Sequence, residues 1–237
     1  MQTWQLAQDF VTKAVNLQWY NKERILVHNE QTVRVFDLYD PSWKASIEGA
    51  ARNLGQVQSV TFGRTADEIL IASDFGVKLT IWSLITRRGA EIKDPKMVPG
   101  AFAPRPKTGH LAILTRPAAQ DSLLLVAPGS HDIVKNIDLG TVDAQEVQWS
   151  KDGAWLAVRD VPSAGHRVQV YTADGHLFRT FTGVEDSENI DLGVRCMTWS
   201  PAGLLILGDH NGRIMLLSKM TVGAPSPFFT MTTDAIR

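Results

Sequence analysis

The sequence predicts an all-β repeat protein, a β-propeller of about five four-stranded blades, and three observations point to it. First, a strand phrase ending in an aromatic residue recurs as VNLQW, VQSVTF, PGAF, EVQW and RCMTW, closing at Trp19, Phe62, Phe102, Trp149 and Trp199. Successive steps of 43, 40, 47 and 50 residues lie close to the roughly 40–45 residues of a propeller blade. Second, each phrase is followed by a polar turn and a nearly continuous apolar run, the pattern of a strand covered on both faces. Third, a further strand closes on a second apolar residue, at Phe36, Trp82, Val126, Tyr171 and Leu217.

Taken in order, the first unit holds RILVH at 24–28, VRVFDL at 33–38 and WKASIE at 43–48. The second holds EILIAS at 68–73, LTIWSL at 79–84 and GAEIKD at 89–94. HLAILT at 110–115, LLLVAP at 123–128 and IVKNIDL at 133–139 make the third, where Pro99, Pro104 and Pro106 leave the boundaries least regular. AWLAV at 154–158, VQVYTA at 168–173 and HLFRTFT at 176–182 make the fourth, and LLILG at 204–208, IMLLSK at 214–219 and PFFTMT at 227–232 the fifth. Gly, Pro, Asn or Asp bounds every apolar run, which leaves too short an interval for a stable helix. Asp152-Gly153, Asp174-Gly175 and Asn211-Gly212 are pairs that tolerate positive φ in tight hairpins. Blades are expected at about 11–50, 51–95, 96–140, 141–183 and 184–222, with an outer strand or tail at 223–237. Residues 1–10 read as the outer strand of a preceding blade, so the expectation is an arc cut from a ring of about seven blades.

The chain has 237 residues, 44% of them hydrophobic and 21% charged, enough to bury a large core. A formal net charge of −1 gives no global field toward nucleic acid or anionic lipid. The lone cysteine, Cys196, forms no internal disulfide, and the first ten residues lack a secretory pattern, so a reducing, cytoplasmic setting is expected. Cys196 lies on an inner strand, where burial is the default.

No motif signals catalysis: G-x-S-x-G, the P-loop, G-x-G-x-x-G and H-E-x-x-H are all missing. The six histidines never fall at metal-ligand spacing with Cys, His or carboxylates. No catalytic, cofactor or metal residue is assigned. Glu185, Asp186, Glu188 and Asp191 read as a solvated acidic loop. Trp19, Phe62, Trp82, Trp149, Tyr171 and Trp199 read as structural anchors. The candidates for partner contact are Arg87, Arg88, Lys93 and Lys96, followed by Arg105 and Lys107, with Trp43 as an aromatic contact. The competing reading is a solvated sheet edge whose charges discourage strand pairing, with the aromatic wedged between blades. Trp155 is open to the same two readings.

With its phrases in order, the chain resembles the WD-repeat superfamily, and more closely the centrosomal and spindle-pole family called WD repeat-containing protein eight. DPSWKASIEG at 40–49, LTIWSLITRR at 79–88 with IKDPK at 92–96, VQVYTADGHLFRTFTG at 168–183 and VRCMTWSPAGLLILGDHNGRIMLLS at 194–218 carry the resemblance. The Trp-Asp dipeptide that names the superfamily is replaced by Phe36-Asp37, Trp82-Ser83 and Tyr171-Thr172. Asp74 and Asp209 occupy the place where the superfamily keeps a buried network aspartate, against the alternative of solvated turn residues. The resemblance implies a non-enzymatic adaptor at the spindle pole, bound to a coiled-coil microtubule-anchoring protein and, in fungi, to a minus-end-directed kinesin. Other classes left open are a propeller adaptor in translation initiation or in a ubiquitin ligase, and a propeller enzyme with a central-channel pocket.

Overall fold

The computed structural model describes residues 16–20, 23–48, 55–165, 167–182, 193–210, 212–217 and 230–232. The segment 3–10, the acidic run 185–191, His166 and Asn211 lie outside them. Among the described residues the chain forms five four-stranded antiparallel sheets, each winding in simple sequence order. It is an all-β propeller of about five blades, as expected. No helix among them is long and apolar enough to cross a membrane.

The chain divides into two compact units, residues 1–92 and 93–237. The first holds β1 (Asn16–Tyr20), β2 (Arg24–His28), β3 (Thr32–Asp37) and β4 (Lys44–Glu48) in one sheet. β5 (Val57–Phe62), β6 (Glu68–Ser73), β7 (Lys78–Ser83) and β8 (Gly89–Lys93) make the next. All six residues of β6 are buried, and the strand lies inside its sheet between β5 and β7. Leu26, Val33, Val35 and Ile47 meet Val60, Ile69, Ile71 and Trp82 in a single core between the two sheets.

The second unit begins with β9 (Phe102–Pro104), β10 (Leu111–Thr115), β11 (Ser122–Val126) and β12 (Ile133–Asp138). β9 has only three residues and closes on Pro104. It is the terminal strand of its sheet, where a residue lacking an N–H is tolerated. β13 (Glu146–Trp149), β14 (Trp155–Arg159), β15 (Val168–Thr172) and β16 (Leu177–Phe181) follow. β17 (Val194–Trp199), β18 (Leu205–Asp209), β19 (Arg213–Leu217) and β20 (Thr230–Thr232) complete the unit. Leu114, Leu123, Leu125, Trp149 and Leu156 join the first two of these sheets, and Ala157, Val170, Met197, Trp199 and Leu207 join the second and third.

Three aromatic anchors share one direction: Phe62, Trp149 and Trp199 lean on the sheet that precedes their own. Trp149 donates its indole N–H to the Ala103 carbonyl at 3.1 Å, and Trp199 donates to Gln148 at 3.2 Å. Phe62 packs on Tyr20 with ring centroids 4.9 Å apart. Trp82 and Tyr171 are buried on their third strands. Trp19 differs, being 59% exposed. Cys196 is likewise exposed, which corrects the expectation of burial: it shares a face of β17 with exposed Thr198, opposite buried Met197 and Trp199.

Candidate partner-binding groove

Trp43 and Arg87 come together in the first unit. They line a cavity of about 170 Å³ with Lys44, Ala45, Ser46, Ile47, Trp82 and Leu84. β4 supplies one wall, and the end of β7 with the turn after it supplies the other. Among the described residues β4 is the last strand of its sheet, and none of them forms a strand paired with its outer edge.

Local sequence explains how each wall is held. In the turn before β4, the Asp37 carboxylate accepts the N–H groups of Tyr39 at 2.9 Å and Asp40 at 3.0 Å. Those of Asp40 and Tyr39 keep its pKa below the ordinary carboxylate value. Asp40 in turn accepts the N–H of Ser42 at 3.0 Å. Trp43 is thereby delivered half-buried to the groove, with the Arg24 guanidinium 4.0 Å from its ring centre. Arg24 is itself fixed by Asp37 at 3.4 Å, Asp67 at 2.5 Å and the Ala66 carbonyl at 2.8 Å. A stacked, paired guanidinium stiffens the indole it covers.

The opposite wall rests on the turn joining β7 to β8. The Ser83 carbonyl accepts the Arg87 N–H at 2.9 Å, and the Ser83 hydroxyl accepts the Thr86 N–H at 3.2 Å. Arg87 takes a left-handed φ of +55°, a conformation that costs a residue with a Cβ roughly 1–2 kcal/mol. Gly89 follows because a Cβ there would stand 2.8 Å from the Trp82 ring. Lys44 and Arg87 are both exposed cations, and no carboxylate lines the cavity.

The remaining basic residues are dispersed. Arg88 and Lys93 are exposed. Lys96 is buried, which removes it from any contact surface: its ammonium pairs with Asp121 at 3.0 Å and with Asp143. Arg116 pairs with the same two carboxylates at 2.9 and 2.8 Å, so two cations and two anions lock the link before β9 to the turn before β13. Arg105 lies 5.1 Å from the Trp149 ring and donates to the Gly153 carbonyl at 2.8 Å. Trp155 is half-buried, edge-on to Phe178 at 4.8 Å.

Turn aspartates do more structural work than the sequence assigned. Asp74 is exposed and accepts the Gln56 N–H at 3.1 Å, while buried Asp209 accepts that of Arg213 at 2.8 Å. Asp160, unassigned in the sequence, is 1% exposed and accepts the N–H groups of Val142, Asp143 and Val161, all at 2.8 Å. The signal was present: Asp160 follows AWLAVR as Asp74 follows EILIAS. Asp121 is the other residue missed. Burial alone would raise its pKa, but the Ala144 N–H, the Lys96 ammonium and the Thr141 hydroxyl outweigh this and hold it below the ordinary value. Among the described residues no three His, Cys, Asp or Glu side chains stand close enough to hold a metal ion.

No family model matches the chain. It is 28% identical over 191 residues to WD repeat-containing protein WRAP73 of Mus musculus, covering 80% of this chain and 39% of that protein. An uncharacterized WD repeat-containing protein of Schizosaccharomyces pombe is 29% identical over 228 residues, covering 91% of this chain and 45% of its own. The chain thus spans less than half the length of these curated relatives. Among solved structures, the Dos1 propeller superposes with a TM-score of 0.60 at 12% identity, covering 86% of this chain and 56% of that one, a likeness of fold alone. Repeat order, five-sheet architecture and these WD-repeat relatives make the chain a member of the WD-repeat β-propeller superfamily.

Proposed function

We propose that the chain is part of a spindle-pole or centrosome adaptor that helps tether microtubule minus ends, bound to a coiled-coil microtubule-anchoring protein and to a minus-end-directed kinesin. WD-repeat propellers are generally non-enzymatic protein-interaction scaffolds, and the relatives support that role here. The observation that carries the reading is the groove holding Trp43 and Arg87: an aromatic and an arginine, residue types favoured as binding anchors, meet on an exposed rim. Support for the pole itself comes from the ordered phrases at 40–49, 79–88, 168–183 and 194–218 and their resemblance to the centrosomal family.

The test is to express the tagged chain in dividing cells, image it and capture its partners. Foci at the spindle poles and recovery of a coiled-coil pole protein are expected. A diffuse signal, with recovery of only ribosomal or ubiquitin-ligase components, overturns the reading and favours those adaptor classes instead.

A further inference from the structure

Building on the scaffold reading above, we infer that the groove between Trp43 and Arg87 is a docking slot for an acidic peptide in extended conformation. One apolar side chain of the peptide enters between the two tryptophans, and its flanking carboxylates pair with Arg87 and Lys44. Three observations converge on this occupant.

The first is size. A cavity of about 170 Å³ falls below the roughly 300–1,000 Å³ of small-molecule sites and matches one or two side chains. Trp43, Ala45, Ile47, Trp82 and Leu84 give it a narrow apolar strip that suits one aliphatic or aromatic side chain, while the polar groups that make up most of its open lining meet the polar atoms of the peptide.

Charge is the second. Lys44 and Arg87 enter the same lining, which holds no acidic residue, and exposed Arg88 adds a third cation on the adjoining turn. An acidic ligand is therefore the complementary one, and an arginine pairs well with a carboxylate.

The third is the strand edge. Residues 43–47 line the slot consecutively, so it runs along β4, the terminal strand of its sheet. An extended peptide laid on a free edge gains main-chain hydrogen bonds there, and alternate side chains face the pocket. Trp43 is already held by Arg24, so little ordering is required when the ligand arrives.

The test measures fluorescence anisotropy of the full chain with a fluorescein-labelled peptide carrying one leucine flanked by glutamate and aspartate. Its comparators replace the acids by lysine or the leucine by serine. Saturable binding is expected for the first peptide alone. Arg87→Asn keeps the left-handed turn, which asparagine tolerates, yet removes the charge. Ser46→Glu places a repulsive acid on the exposed wall. Each should weaken binding about tenfold or more, with an unchanged thermal melt.

Trp43→Ala should abolish binding, but it also touches the core, so the two surface variants decide. Equal affinity of wild type, Arg87→Asn and Ser46→Glu overturns the inference, as does tighter binding of a polyuridine oligonucleotide. Loss of peptide binding with polar foci retained sinks the docking slot alone. Binding retained without polar foci sinks only the spindle-pole reading.

Discussion

Trp199 donates its indole N–H to the main-chain carbonyl of Gln148, the residue next to Trp149, which reaches back in the same way to Ala103. Two indoles thus link three successive sheets of the second unit through the same kind of bond. Each ring supplies apolar area, and each N–H finds its acceptor on the sheet before its own.

Shortening these rings separates the two contributions. Trp149→Phe and Trp199→Phe remove the donor and should lose about 1–3 kcal/mol. Trp149→Ala, which adds a cavity in the core, should lose roughly 3–5 kcal/mol. Urea denaturation followed by circular dichroism reads both; equal losses for Phe and Ala would mean that packing contributes nothing.

Asp121 should govern part of the acid limb of stability. Its folded-state pKa is depressed, so its contribution is fully present above the unfolded value of about 3.9 and is lost as pH falls through the folded value. Asp121→Asn leaves Lys96 and Arg116 to share Asp143 alone and should cost up to roughly 3 kcal/mol near neutrality. The variant should also show a shallower fall of urea midpoint below pH 4. Asp174 is depressed as well, chiefly by the Thr172 hydroxyl, so some slope should persist.

His28 should act in a higher window. It is 6% exposed and neither ring nitrogen finds a hydrogen bond of good geometry. Burial lowers its pKa, only partly offset by the Asn29 main chain. The folded state therefore resists protonation, and stability is lost as pH falls below the unfolded value of about 6.5. His28→Leu should flatten the stability profile between about pH 6.5 and 5 and leave the acid limb due to Asp121 in place. An unchanged slope across that window would refute the assignment.

Cys196 is predicted to react under native conditions. An exposed thiol is accessible to a maleimide without denaturant. Mass spectrometry should find one adduct on the folded chain, formed at the same rate in moderate urea. A need for unfolding before labelling would place the thiol inside instead.

The repeat was legible because burial imposes a strict grammar on blades: an apolar inner strand, an aromatic peg and a Gly- or Asp-bearing hairpin. Short β9 was foreshadowed by Pro104. The groove was half legible, since Trp43 and Arg87 stood out as residue types but lie 44 positions apart, and only the pairing of strands into sheets brings them face to face. Lys96 was misread for the reverse reason. A lysine in a link looks solvated until distant Asp121 and Asp143 close around it. Asp160 stood at a legible position, after AWLAVR as Asp74 stands after EILIAS, but its main-chain N–H partners become visible only in the fold. Trp19 matches its fellow anchors in sequence, so nothing in the residue pattern marked its exposure.

That common direction bears on synthesis. Trp149 and Trp199 each grip backbone that left the ribosome earlier, so the sheets that carry them meet a seat already built and add to it like a course of bricks. For these two joints growth from the amino end suits assembly, because the hydrophobic flank open to misassembly lies on the sheet most recently added.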